Sequence, residues 1–140
     1  MTTRIATATT AAALALVVLT GCAARNPGLD TLRSDPLVTA AVPGLTETQR
    51  FGQIAFTSLG KHEPATLTRL FKTGSRNVTA ADLARAAERA TADGWKLAPA
   101  RNHTWTGTKT VGGAPVKLLI RRNFSTADRV LVAVELTASR

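Results

Sequence analysis

The 140-residue chain is 44% hydrophobic and 19% charged, which excludes wholesale disorder and leaves room for one domain with extensions. Eighteen Lys and Arg against nine Asp and Glu give a net charge of +9, a sign that favours anionic partners such as phospholipid head groups or cell-wall polymers. Nucleic acid is not expected, because a chain with no Tyr, four Phe and two Trp has few aromatic platforms for stacking bases.

The N-terminus has the three-part pattern of a secretory signal. Arg4 is the only charged residue in 1–21, and "AAALALVVL" (11–19) follows as an apolar run. "TGC" then brings small residues to a cleavage point. The wider stretch from Ile5 to Thr20 is interrupted by Thr7, Thr9 and Thr10 and falls short of the roughly 20 apolar residues of a spanning helix. The only cysteine of the chain, Cys22, stands directly behind this segment. A single cysteine makes no internal disulfide and no zinc site by itself.

Leu19-Thr20-Gly21-Cys22, placed at the end of such a segment, resembles the lipobox of bacterial lipoprotein precursors. The resemblance implies that the Cys22 sulfur takes a diacylglyceryl group. It also implies that a lipoprotein signal peptidase, recognising Leu19, Thr20 and Gly21, cuts before Cys22. The new amine is then acylated, with palmitate or a similar chain. The residue types suit the chemistry: a thiolate is the side chain nucleophilic enough to take the lipid. Small Thr20 and Gly21 let the backbone into a narrow protease site. The expected location is the cell membrane, lipid-anchored on its extracytoplasmic face.

Residues 22–48 follow as the lipidated cysteine and a flexible tether, since Pro27, Pro36, Pro43, Gly28 and Gly44 interrupt every helical or alternating period. A small domain is expected over 49–140. "RFGQIAFTSLG" (50–60) reads as a strand over 50–59, and "KHEP" (61–64) as a turn. "ATLTRLFKTG" (65–74) fits a helix face through Leu67, Leu70 and Phe71, but its threonines and its Pro64 and Gly74 bounds favour a strand. The clearest element is a helix over about 79–93. Thr79 and Asp82 form a near capping box, Val78 and Leu83 a hydrophobic staple, and Gly94 with Trp95 a left-handed C-terminal stop. Strands follow at 95–100, on both sides of the Gly112-Gly113 turn within 104–123, and at 129–138, where Val130, Val132, Val134 and Leu136 alternate with outward residues. The expected class is α+β, one helix packed on an antiparallel sheet in the order β-β-α-β-β-β-β.

Chemical motifs are sparse in the domain. His62 and His103 fall in expected turns without the paired spacing of a metal site, and no metal or cofactor is expected. Ser58, Ser75, Ser125 and Ser139 lack the G-x-S-x-G frame of a hydrolase nucleophile. Asn77-Val78-Thr79 matches a glycosylation acceptor but reads more simply as the start of the helix. Arg85, Arg89, Arg121 and Arg122 are candidate contacts for an anionic lipid or cell-wall polymer, weighed against scattered solvation of charges. Trp95 and Trp105 read as core rather than as the walls of a ligand groove.

The expectation for function is a non-enzymatic envelope lipoprotein, held to the membrane through the lipid on Cys22, that presents a small binding domain. Two alternatives stand beside it. One is a small hydrolase using His62 or His103. The other is a lipid- or metabolite-binding protein with a pocket between helix and sheet.

Overall fold

Two Asx-Pro pairs open the described chain, and both start helices. The computed structural model describes residues 26–125 and 129–139; Leu19, Thr20, Gly21 and Cys22 lie outside the described residues, as does the rest of the expected targeting segment. Asn26 caps helix α1 (Pro27–Arg33), its side chain accepting from the Leu29 amide at 3.1 Å. Asp35 likewise caps a 3-10 turn (Pro36–Val38), accepting from the Leu37 amide at 2.9 Å. In each case Pro takes the first helical position, where its missing N–H costs nothing and its fixed φ is already helical.

This corrects the expectation of a flexible tether over 22–48. Within its described part, from Asn26 onward, Leu29, Leu32, Leu37, Val38 and Val42 are buried in the main core. The domain therefore includes these residues instead of beginning at 49. Their burial outweighs the breaking tendency of the local prolines and glycines.

The strands are β1 (Thr46–Gln53), β2 (Phe56–Ser58), β3 (Lys61–Glu63), β4 (Thr66–Lys72), β5 (Lys96–Pro99), β6 (Trp105–Val111), β7 (Ala114–Ser125) and β8 (Arg129–Ala138), with helix α2 (Ala80–Ala92) between β4 and β5. Six of them form one antiparallel sheet in the order β1-β4-β8-β7-β6-β5. β2 and β3 form a separate hairpin. The chain makes the β1–β4 pair at one edge and crosses through α2 to the opposite edge. It then returns by the β5–β8 meander to place β8 beside β4.

The class is α+β with a large antiparallel sheet and one main helix, as the periodicity predicts. Two details differ. Among the described residues there are two α-helices, α1 being the addition. The strand expected over 50–59 is two, β1 ending at Gln53 and β2 beginning at Phe56, while the expected turn 61–64 supplies β3. Residues 66–72 are a strand, in favour of the β-propensity of their threonines.

Helix α2 has the predicted caps. Thr79 and Asp82 form the reciprocal box, the Thr79 amide donating to Asp82 Oδ2 at 2.8 Å and the Asp82 amide to Thr79 Oγ1 at 3.3 Å. At the other end Gly94 has φ +88°, and the Trp95 amide reaches back to the Ala90 carbonyl at 3.1 Å. That bond and the Gly94 amide to the Thr91 carbonyl make a Schellman stop.

Side chains alternate across the sheet. Leu67 and Phe71 of β4, Val132, Val134 and Leu136 of β8, and Val116, Leu118 and Ile120 of β7 form one core with Leu29 and Leu32 of α1 and Leu83, Ala86, Ala87 and Ala90 of α2. The alanine face lets α2 approach the sheet closely. On the opposite face, which neither helix covers, Leu70, Leu131 and Ala133 make a small second cluster.

Candidate functional site

The uncovered face of the sheet carries the candidate site. The register sets its side chains in rows that cross the strands. One row runs Lys96, Thr108, Lys117, Thr137 and Thr66; the next runs Ala98, Thr106, Leu119, Glu135 and Thr68. Between β5 and β8 these rows line an open groove of about 510 Å³, with Lys96 and Lys117 at one side, Leu119 and Ala98 as apolar floor, and Glu135 beyond.

The electrostatics of the groove are asymmetric. Among the described residues neither Lys96 nor Lys117 forms an ion pair, whereas Glu135 lies 3.8 Å from Arg121. Two strands of separation place the lysines about 10 Å apart, with the Thr108 hydroxyl between them. Two free ammonium groups flanking threonine hydroxyls on an apolar floor suit an extended ligand with repeated anionic groups. They offer hydrogen-bond donors and positive charge to such a ligand. Sequence reasoning singled out neither Lys96 nor Lys117. Their signal is the period-two alternation of "PVKLLI" and "WKLA", in which the lysines fall on the outward positions.

The residues expected to act are dispersed. His62, on β3, has Nδ1 at 3.3 Å from Thr57 Oγ1, and its neighbour Glu63 is paired with Lys61 at 2.8 Å. His103 is exposed in a short 3-10 turn (Arg101–His103) before β6, at the other end of the sheet from the β2–β3 hairpin. Among the described residues neither histidine bonds to a Ser, Asp or Glu, and no three His, Cys, Asp or Glu side chains gather as a metal-binding group. Arg85 is bound to Asp82 at 3.2 Å and lies over Gly44; Arg89 pairs with Asp93 at 2.6 Å. Arg121 and Arg122, being consecutive in β7, point to opposite faces. The four arginines are thus divided between one helix and the two faces of the sheet.

Trp95 is buried in the core as expected. Trp105 is half-buried and, with Ala80, Ala84 and Pro99, lines a shallow depression of about 660 Å³ at the outer edge of the junction between α2 and the sheet.

Two buried charges serve the N-terminal segment. Asp35 is fully buried and receives Lys109 Nζ at 2.7 Å and Trp95 Nε1 at 3.3 Å. Arg69, only 2% exposed, donates to the carbonyls of Leu37 and Ala40 and to the Glu47 carboxylate, and lies 4.7 Å from the centre of the Phe71 ring. Glu47 also accepts from Nε and Nη2 of Arg50. The hydrogen bond from Arg50, followed by that from Arg69, overcomes the cost of partial burial and holds the Glu47 carboxyl at about 2, well below its ordinary 4.5.

No protein-family model, no curated protein and no solved structure matches the chain.

Proposed function

We propose that the protein is a membrane-anchored envelope lipoprotein whose domain is a binding module outside the cytoplasmic membrane. The lipid on Cys22 holds it there, and the uncovered sheet face takes an anionic cell-wall polymer along the Lys96–Lys117 row. The observation that carries the binding part is the pair of unpaired lysines over an open groove of about 510 Å³. The lipobox Leu19-Thr20-Gly21-Cys22 carries the anchoring part. The two fit together, since anchoring raises the effective concentration of a weak binding face at the surface where its ligand lies.

Cys22→Ala tests the anchor. It is expected to abolish metabolic labelling with a fatty-acid analogue and to leave an uncleaved precursor; labelling at the wild-type level overturns the reading. The groove is tested by co-sedimentation with isolated cell-wall polymer. Lys96→Gln with Lys117→Gln is expected to reduce binding several-fold at low salt, with the difference shrinking as salt screens the charges. Binding unchanged at every ionic strength overturns it.

The depression at Trp105 favours a second reading, the binding of an apolar metabolite beside α2. A lipid-soluble probe that quenches Trp fluorescence in the wild type and not in Trp105→Leu would support it. Quenching indifferent to that substitution would remove it.

A further inference from the structure

The β2–β3 hairpin has a feature that folding does not explain. Its turn places Leu59 at φ +49° and Gly60 at φ +76°, left-handed at both central positions. Turns of this kind select Asn, Asp or Gly, because a Cβ is crowded there. Leu59 occupies the first position and is completely exposed, at 105% of its reference area. It gains no packing in return for its strained backbone. The hairpin and the strand that leads into it carry more of the same: Phe51, Ile54, Phe56 and Leu59 are four of the five exposed large apolar side chains among the described residues. A large apolar side chain kept at a strained, unpacked position points to a contact outside the domain.

The fold also says where this hairpin lies relative to the start of α1. A Cβ on Gly28 would meet the Ala65 side chain at 3.0 Å, and one on Gly52 would meet Leu29 at 2.9 Å. Gly52 and Ala65 bracket the base of the β2–β3 hairpin, so the first turn of α1 packs directly against that base. Three residues lie between Cys22 and Asn26, so the four steps of chain reach at most about 14 Å. The hairpin itself extends about 13 Å from Ala55 to Leu59. A lipid on Cys22 and the Leu59 tip are therefore within reach of the same bilayer surface.

We propose that the β2–β3 hairpin is a second membrane contact, its Leu59 tip and the neighbouring Ile54 and Phe56 entering the interfacial layer of the bilayer in which Cys22 is anchored. This rests on the lipoprotein reading above and adds an orientation to it. With the hairpin down, the opposite end of the sheet, where Arg121 and Arg122 lie, faces away from the membrane. The contact is apolar in character, because Lys61 beside the tip is already paired with Glu63 at 2.8 Å. It is accordingly indifferent to lipid charge.

The test uses the full-length lipidated protein reconstituted in vesicles of phosphatidylcholine, alone or mixed with phosphatidylglycerol. Cys22 is the chain's only cysteine, so Ser58→Cys carries a polarity-sensitive fluorophore next to the tip, and Thr106→Cys carries the control on the sheet face. The label at 58 is expected to shift to the blue and to be quenched by bilayer-embedded quenchers equally in both lipid mixtures, while the label at 106 stays in water. Leu59→Asp in the labelled protein is expected to abolish the shift; its exposed position leaves the fold intact, as circular dichroism would verify. Labels at 58 and 106 equally in water overturn the contact. A blue shift that persists in detergent and grows with protein concentration assigns the hairpin to a second copy and overturns it as well. Mass spectrometry separates the two levels of the proposal: an unacylated Cys22 overturns the anchor and the contact with it, whereas an acylated protein with a wet label at 58 overturns the contact alone.

Discussion

The carboxylate of Asp35 and the ammonium of Lys109 lie 2.7 Å apart across 74 residues of sequence, the first fully buried and the second partly buried. Lys109 also donates to the Asp93 carbonyl at 2.6 Å, and Trp95 Nε1 reaches the other oxygen of Asp35. One carboxylate thus ties the N-terminal segment to β6 and to the end of α2. Two to twelve residues further on, Arg69 binds the Leu37 and Ala40 carbonyls and Glu47, which ties the same segment to β4 and β1. Residues 35–47 are a strap buckled at both ends by buried charge.

Removing Asp35 should therefore cost far more than removing a surface carboxylate. Asp35→Ala leaves Trp95 Nε1 and the Leu37 amide without their acceptor and Lys109 with the Asp93 carbonyl but no counter-charge, and breaking a buried pair in this way costs about 3 kcal/mol. Urea denaturation followed by Trp fluorescence checks it. Asp30→Ala, whose ion pair with Arg33 is exposed at 3.7 Å, should change stability by less than about 0.5 kcal/mol in the same assay.

Deleting residues 26–45 discriminates a strap from a tether. A tether is dispensable, whereas α1 and the strap together supply Leu29, Leu32, Leu37, Val38 and Val42 to the core. At about 1.5–3 kcal/mol for each large apolar side chain buried, their loss is comparable with the total stability of an ordinary domain of this size. The truncated chain is expected to lose cooperative thermal unfolding. A sharp transition with native circular dichroism would show the strap to be dispensable.

Acid should weaken the second buckle. The Glu47 carboxyl is held at about 2 against an ordinary 4.5, so the folded state binds its proton more weakly than the unfolded chain does. Its stabilisation is complete above about pH 4.5 and is lost as the pH falls towards 2. The shift corresponds to about 3 kcal/mol, and solvent around half-exposed Arg50 reduces the measurable part to about 2 kcal/mol. Glu47→Gln should be less stable at neutral pH and should lose stability less steeply between pH 4.5 and 2. Denaturation midpoints measured across that window give both quantities.

Gly107 is a steric requirement of the sheet. It stands on the helix-facing side of β6, between Leu97 and Leu118, and a Cβ there would run into the Leu97 side chain and approach the Lys96 carbonyl to 2.8 Å. Gly107→Val, favourable by β-propensity alone, is expected to destabilise by about 1–3 kcal/mol. The unfolding midpoint decides between propensity and packing.

The elements legible in the sequence are those whose information is local. The caps of α2 at Thr79, Asp82 and Gly94, and the alternation of Val130, Val132, Val134 and Leu136, are short-range patterns written within a few residues, and each appears at its place. The resemblance to a lipobox is local in the same sense, resting on four adjacent residues, Leu19 to Cys22, which lie outside the described residues. The strap was not legible, because Pro27 and Pro36 look alike as breakers and as first residues of helices. Only the sheet beneath α1 decides between the two. Nor could the sequence reveal Asp35 with Lys109, or Arg69 with Glu47, since each pair meets only after the strands have been ordered. The groove between Lys96 and Lys117 has the same origin. Composition supplied the positive charge, and alternation decided that these lysines point outward. Which two of the chain's many cations stand about 10 Å apart over an uncovered face was settled by strand order, a long-range outcome of packing.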